Sequence, residues 1–167
     1  MKTQAFVYST TCALLLAACS NGGDPKVSPG KGVCGPFTSE LRVEDKFGQQ
    51  SATFTTGEPI EFKMRITNTG DSKATLSYDG CPSIRFVVSD AQRQIVFDSL
   101  PPTTPCTQPL RLIEYQPKET MEFGFEWDQT RSSDGSQVPP GPYTANARDR
   151  SIECNGALDR TADFTIQ

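Results

Sequence analysis

The 167-residue sequence predicts one all-β domain, a two-sheet β-sandwich of eight or nine short strands that follows an N-terminal appendage. Apolar residues recur in short bursts with a period of two, which is typical of strands with one buried face. Thirteen glycines and thirteen prolines punctuate these bursts, and no apolar stripe of helical period is present. The number and spacing of the strands favour a sandwich over a closed barrel.

The strand predicted over residues 120–128 has one apolar and one polar face. Four large side chains alternate there with polar ones, namely Met121, Phe123, Phe125 and Trp127. After turn signals at Asp134-Gly135 and at residues 139–142, a second alternation begins at Tyr143. We predict that these two strands pair antiparallel in one sheet.

The other predicted strands follow the same rule. The cleanest alternation lies in residues 60–67, and a turn at residues 90–93 joins two neighbouring strands into a hairpin. In chain order these strands contain Leu41 and Val43, Ala52 and Phe54, Ile60 to Ile66, Thr75 to Tyr78, Ile84 to Val88, Ile95 to Phe97, Leu110 to Ile113, and Ala162 to Ile166.

Composition excludes several classes of chemistry. The chain has no histidine, which excludes a Ser-His-Asp triad, a histidine base and a zinc site with histidine ligands. A formal charge of −4 disfavours a nucleic-acid partner. One predicted strand carries three carboxylates on its solvent-exposed face, namely Glu122, Glu126 and Asp128. Glycoside hydrolysis requires two carboxyl groups that face each other across a cleft, so these residues do not predict a glycosidase. We predict a non-enzymatic protein with no catalytic residue, no metal and no cofactor.

Four of the six cysteines belong to the predicted domain, namely Cys34, Cys81, Cys106 and Cys154. Their separations are long and no C-x-x-C occurs, which favours two structural disulfides in an oxidising compartment over a metal cluster or a redox dithiol. Three pairings are possible. We favour Cys34 with Cys154, which ties the first strand to the last hairpin, and Cys81 with Cys106, which closes the loop after the hairpin.

Residues 1–18 have the apolar character of a signal peptide and are too short for a comfortable membrane-spanning helix. Leu16-Ala17-Ala18-Cys19 resembles the lipobox of bacterial lipoproteins. The resemblance implies cleavage before Cys19, diacylglycerol on its sulfur and acylation of the new amine, and hence a membrane partner through the lipid anchor. An ordinary signal peptide with a chance cysteine is the alternative. Ser20, rather than aspartate, favours the outer membrane facing the periplasm if the source is Gram-negative.

Residues 19–33 are rich in Ser, Asn, Gly and Pro and are predicted to be a flexible tether. The domain is predicted over residues 34–167. Within it, five segments occur in a fixed order, namely Asn68-Thr69-Gly70, the hairpin Ile84 to Phe97, Pro117-Lys118-Glu119-Thr120, Phe125-Glu126-Trp127 and Pro139-Pro140-Gly141-Pro142-Tyr143. Through these segments the core over about 54–148 resembles the intracellular proteinase inhibitor (BsuPI) family, which implies an immunoglobulin-like sandwich.

The loop from Ser99 to Pro109 is the candidate binding site. Its candidate contact residues are Ser99, Leu100, Pro101, Pro102, Thr103, Thr104 and Pro105. Four prolines fix φ and Cys106 is able to hold the base, so the loop is expected to be extended and rigid before it meets a partner. Such preorganisation lowers the ordering cost of binding. The alternative is a plain connection between sheets, made stiff for stability.

These observations predict a membrane-anchored lipoprotein of the cell envelope that binds a protein partner. The partner is an unidentified envelope protein or a protease, and in the second case the chain is a proteinase inhibitor. The alternative is a structural or assembly component of the envelope.

Overall fold

The computed structural model describes residues 33–101, 105 and 109–167. These residues form eleven strands and no helix, which confirms the all-β prediction. The described ranges therefore include no helix long and apolar enough to cross a membrane. The strands are β1 (Val33–Cys34), β2 (Phe37–Glu44), β3 (Thr53–Phe54), β4 (Ile60–Asn68), β5 (Ala74–Tyr78), β6 (Ile84–Asp90), β7 (Ile95–Asp98), β8 (Arg111–Tyr115), β9 (Thr120–Trp127), β10 (Gly141–Asp149) and β11 (Arg160–Ile166).

The strands form two main sheets and a small ribbon. The first sheet has the order β1-β2-β4-β9 and the second β3-β11-β10-β6-β7. The ribbon consists of β5 and β8. The count exceeds the predicted eight or nine partly because β1 has only two residues, too few for an alternation to be recognised. Strand β3 is equally short but coincides with the strand predicted at Ala52 and Phe54.

The core lies between the two main sheets. In β4 the side chains of Ile60, Phe62, Met64 and Ile66 are fully buried and alternate with half-buried polar ones, as the pattern predicts. The Phe62 ring lies 6.2 Å from both Phe86 of β6 and Trp127 of β9, measured between centroids. The contact with Phe86 joins the two sheets across the core, whereas Trp127 packs beside Phe62 within the first sheet.

The predicted pairing of residues 120–128 with residues 143–148 is wrong. Strand β9 pairs with β4 of the first sheet, whereas β10 pairs with β6 and β11 of the second. The connection of residues 128–140 is long enough to cross from one sheet to the other. Trp127 and Tyr143 consequently face each other through the core, with their rings 6.3 Å apart in an edge-to-face arrangement.

A disulfide joins Cys34 in β1 to Cys154 in the β10–β11 connection, as predicted. It ties the edge of the first sheet to the second. Nearby, the Ser39 hydroxyl donates to the Leu158 carbonyl (2.7 Å), and Arg160 Nε donates to the Ser39 carbonyl (3.0 Å). The disulfide and these hydrogen bonds hold one side of the sandwich closed.

Candidate functional site

The stem of the predicted binding loop begins at the end of β7, where Asp98 is held in place by four interactions. The Arg85 guanidinium donates from Nε (2.8 Å) and Nη2 to the two carboxylate oxygens of Asp98. The Leu100 N–H donates to the same carboxylate (3.0 Å), and the Asp98 N–H donates to the Ser132 hydroxyl (3.0 Å). Burial alone raises the pKa of Asp98, but the Arg85 and Leu100 hydrogen bonds outweigh burial, and the pKa is lowered.

Ser99 continues the stem. Its N–H donates to the Phe86 carbonyl (2.9 Å), and its hydroxyl accepts from the Phe86 N–H (2.9 Å). The start of the loop is therefore fixed to β6 by hydrogen bonds from both the backbone and the side chain of Ser99.

Leu100 does not belong to the contact surface. It was predicted as a contact residue because it stands in a proline-rich, polar stretch, but its side chain is only 7% exposed. Its N–H is also taken up by Asp98. Leu100 anchors the loop, and the exposed part begins after it.

Two further candidate contact residues are described, Pro101 and Pro105, and both are exposed. Pro102, Thr103, Thr104 and Cys106 lie outside the described residues. Cys81, 5% exposed, takes part in a disulfide. The pairing of Cys81 with Cys106 stays a prediction.

A groove of about 350 Å³ lies beside the loop stem, between the two sheets at their open side. One wall is the edge strand β9, with Phe123, Gly124 and Phe125, and the opposite wall includes Ile84 and Phe86 of β6. Ser99 and Arg111, at the two ends of the loop, also line it, as do Pro82 and Ser83. Phe123 and Phe125 are only half-buried because no described strand covers this side of β9.

The outer face of the first sheet is charged. Lys63 in β4 lies 2.8 Å from Glu44 and 3.3 Å from Glu61, and the Glu44 hydrogen bond raises the pKa of its ammonium group. At the edge strand, Glu122 is about half exposed and lies at the limit of ion-pair distance from two cations, 3.8 Å from Arg65 and 4.0 Å from Lys63. Glu126, on the same edge, makes no ion pair within the described ranges. The open edge is therefore acidic.

A buried carboxylate fixes the far end of β10. The Asp149 carboxylate accepts hydrogen bonds from the Tyr78 hydroxyl (3.2 Å), the Ser151 N–H (3.3 Å) and the Ser151 hydroxyl. Burial raises the pKa of Asp149 and also that of Tyr78. This cluster attaches the connection that carries Cys154 to the β5–β8 ribbon, so we assign it a structural role.

The acidic and aromatic side chains at the end of β9 and the start of β10 are either exposed or make contacts that stabilise the fold. Glu126 and Asp128 are exposed, and the Asp128 carboxylate accepts from the Thr130 N–H (3.1 Å) and hydroxyl (2.6 Å) in a local turn. Trp127 is 1% exposed and donates from its indole N–H to the Thr130 carbonyl (2.9 Å). The Tyr143 hydroxyl donates to the Pro139 carbonyl (2.6 Å).

Sequence reasoning missed the Arg85–Asp98 pair and the groove. A signal for the pair was present, because Arg85 and Asp98 occupy the two strands of a predicted hairpin and carry opposite charges. The sequence contains no signal for the groove, because the groove depends on which strand lies at the edge of the sheet.

The chain matches the family described as "Intracellular proteinase inhibitor" (BsuPI) over residues 47–153, which is more than half of its length. The chain belongs to this family. The BsuPI match contains the predicted range of 54–148, the loop stem, the groove and β9. Cys34 precedes the matched residues and Cys154 directly follows them, so their disulfide joins the two flanks of the BsuPI region.

No curated protein shows significant sequence similarity to the chain. Among solved structures, a β-glucosidase of Erythrobacter marinus aligns with 78% of the chain at 16% identity and a TM-score of 0.46. A DNA-bound alkylpurine DNA glycosylase of Pseudomonas fluorescens aligns with 83% at 11% identity and 0.44. A cycloisomaltooligosaccharide glucanotransferase of Paenibacillus aligns with 75% at 13% identity and 0.43. The aligned parts cover only 15%, 32% and 13% of those chains.

Proposed function

We propose that the protein is a non-enzymatic, lipid-anchored proteinase inhibitor of the cell envelope, with the loop of residues 99–109 as its contact with the protease. The BsuPI match carries this proposal, because it spans the loop, its stem and both walls of the groove.

The geometry of the stem supports this role for the loop. Asp98 and Ser99 are bonded on three sides, to Arg85, Phe86 and Ser132. The Leu100 side chain is buried directly before the first exposed proline. A loop that leaves a fixed stem loses little conformational entropy when it enters a protease cleft, which favours tight binding and slows cleavage.

Residue Cys19 and the tether are proposed to place this domain at the membrane. Several acyl chains on one residue anchor far more strongly than one, since each buried methylene group contributes about 0.8 kcal/mol. The disulfide between Cys34 and Cys154 supports an oxidising compartment outside the cytoplasm. We propose the periplasmic face of the outer membrane if the source is Gram-negative.

The first experiment replaces residues 101–105 with Gly-Ser-Gly-Ser-Gly and leaves Leu100 and Cys106 unchanged. The wild type is expected to inhibit at least one protease from a panel of serine, cysteine, aspartic and metalloproteases with an inhibition constant of about 1 μM or lower. The exchanged loop has no fixed φ angles, so its inhibition constant is expected to rise at least about tenfold. Steady-state inhibition assays measure both.

Gln92→Ser is the matched control for the loop exchange. Gln92 is an exposed residue in the turn at the other end of the β6–β7 hairpin, and its side chain makes no hydrogen bond within the described ranges. It is expected to inhibit as the wild type does. A wild type that inhibits no protease in the panel, or a loop exchange that leaves inhibition unchanged, contradicts the proposal.

A structural or assembly role in the envelope is the second candidate, and the outer edge of β9, which no strand of the described residues covers, favours it. An assembly component is expected to be crosslinked to the same envelope proteins in intact cells whether or not residues 101–105 are exchanged. An inhibitor loses its crosslinked protease with that exchange.

Cys19→Ala tests the anchor. The wild type is expected to sediment with membranes and to carry acyl chains on an N-terminal Cys19, because only that residue provides the sulfur for diacylglycerol. The Cys19→Ala variant is expected to lose all acylation and membrane sedimentation. Mass spectrometry of the mature chain measures acylation directly. An unacylated wild-type chain would contradict the anchor and leave the inhibition assay unaffected.

A further inference from the structure

The backbone of β9 presents hydrogen-bonding groups at an unpaired sheet edge. The Asn68 N–H donates to the Glu119 carbonyl (2.9 Å), and this pair continues the β4–β9 register in which Lys63 lies opposite Gly124. Hydrogen-bonded and non-bonded pairs alternate along antiparallel strands, so the N–H and C=O of Gly124 point away from β4. The same holds for Glu122 and Glu126. No described strand takes up these groups.

The inner side of this edge is apolar. Phe123 and Phe125 are half-buried and form one wall of the groove, with Phe86 on the opposite wall. Ser83 also lines the groove, is 4% exposed, and has a hydroxyl with no hydrogen-bond partner among the described residues. Arg111 lies at the same groove and disfavours a positively charged side chain on this side.

On the outer face of the sheet, this edge carries acidic side chains on either side of a glycine. Glu122 and Glu126 flank Gly124, which is exposed and has no side chain to obstruct a neighbouring strand. Lys63, the cross-strand neighbour of Gly124, is already bound to Glu44 and Glu61. Directly opposed side chains of opposite charge stabilise strand pairing, and like charges destabilise it.

We propose that β9 binds an extended segment of a protein partner as an additional strand, and that this segment alternates apolar with basic residues. Its apolar side chains enter the groove between Phe123, Phe125 and Phe86, and its lysine or arginine side chains lie beside Glu122 and Glu126. Main-chain hydrogen bonds supply affinity and the two faces supply specificity. The proposal rests on the proposed protein-binding function, but not on inhibition of a protease.

A second copy of the chain fits this edge less well. In the two-fold symmetric register centred on Gly124, Glu122 of each copy lies opposite Glu126 of the other. Such like-charge pairs disfavour association. In that register, the same charges that select a basic segment disfavour self-pairing of the edge.

The test uses a blocked seven-residue peptide of alternating lysine and valine as a stand-in for the partner segment. It is expected to bind at least about tenfold more tightly than a matched glutamate-valine peptide, and to shift the amide NMR signals of residues 120–127. A lysine-valine peptide with an N-methyl group on every residue has no N–H to donate to β9 in either orientation, and is expected to lose at least about tenfold in affinity.

Gly124→Pro tests the same edge from the protein side. Proline removes the outward N–H, which the β4–β9 ladder does not use, and proline is tolerated at such edge positions. The variant is expected to bind the lysine-valine peptide at least about tenfold more weakly. Gly124→Ala is the matched control: it keeps the N–H, its methyl group meets only Glu61 Oε1 at 3.6 Å, and its affinity is expected to equal that of the wild type.

Equal binding of the lysine and glutamate peptides, or undiminished binding of the N-methylated peptide, overturns the proposal. Self-association that Gly124→Pro abolishes also overturns it, because the occupant is then a second copy. The exchange of residues 101–105 is expected to leave peptide binding unchanged. A wild type that inhibits no protease in the panel but binds the lysine-valine peptide contradicts the proposed inhibitor and leaves this strand site standing.

Discussion

Replacing both Cys34 and Cys154 with alanine is expected to lower the free energy of unfolding by about 4 kcal/mol, which makes the unfolded state roughly a thousandfold more populated. The two cysteines are 120 residues apart in sequence, so their bond restricts most of the unfolded chain. Trp127 is the sole tryptophan and is 1% exposed, so its fluorescence in a urea titration reports the transition.

The position of this disulfide explains why hydrogen bonds are not expected to compensate for its loss. Strand β1 has only two residues and pairs with β2 alone, through the register of Val33 with Thr38 and Cys34 with Phe37. Without the bond to Cys154, little apart from this pairing keeps β1 in place. We therefore expect β1 to fray at denaturant concentrations at which the rest of the sandwich is still folded.

Reduction provides the control for the alanine variant. After treatment with dithiothreitol in both proteins, the remaining disulfide of Cys81 is lost equally, and the wild type and variant are expected to have the same stability. A difference that survives reduction would mean that the alanine side chains, rather than the missing bond, cause the loss. A non-reduced variant within about 1 kcal/mol of the wild type would contradict the prediction.

Alternation in the sequence predicts the face of a strand well, because burial on one side requires it. Met64 in β4 and Phe164 in β11 are buried where the period of two places them. The hairpin of β6 and β7 was also predictable. Asp90, at its turn, accepts hydrogen bonds from the N–H groups of Gln92 and Gln94, a local interaction that the sequence encodes directly.

Pairing between strands was harder to predict because alternation does not identify the neighbour. Strands β9 and β10 both have an apolar face and follow one another, yet they belong to opposite sheets. Their apolar faces meet through Trp127 and Tyr143, an arrangement that the same alternation allows. The number and spacing of the strands predicted a sandwich, and the family resemblance implied an immunoglobulin-like one, but neither assigned these two strands to opposite sheets.

The candidate site was predictable only in outline. Prolines identify a stiff loop after β7, but they do not show that Leu100 turns inward beneath it. The alternation in the sequence placed Glu122 and Glu126 on the solvent-exposed face of their strand. Their position at an open edge follows from sheet order, which depends on contacts distant in the chain.

Asp98→Ala is expected to lower the free energy of unfolding by about 3 kcal/mol, because it leaves the Arg85 guanidinium without its carboxylate and the Leu100 N–H without an acceptor. Asp98 is 8% exposed, while the Arg85 side chain keeps 23% of its surface, which places the loss at the lower end for a buried pair. Urea titration of both proteins at pH 7 measures it. The loop stem is weakened by the same change, so inhibition is expected to fall with stability.

The pH dependence of this loss has a defined sign. The pKa of Asp98 lies below its ordinary value of 3.8 in the folded protein. A carboxylate of this kind stabilises the fold above its unfolded pKa, and that contribution disappears as the pH falls through 3.8 towards the folded value. The difference between the wild type and Asp98→Ala is therefore expected to be constant above about pH 5 and to narrow below it.

A double variant separates the ion pair from simple loss of volume. Arg85→Met together with Asp98→Asn removes both charges, retains most of the side-chain volume and keeps an amide oxygen for the Leu100 N–H. Replacing both members of a buried pair costs less than removing one, so the double variant is expected to be at least about 1 kcal/mol more stable than Asp98→Ala. Equal stability would mean that the uncompensated charge of Arg85 is not what destabilises Asp98→Ala. The loop stem would then depend on the packing of Leu100, and Leu100→Ala, rather than Asp98→Ala, would be the more damaging change.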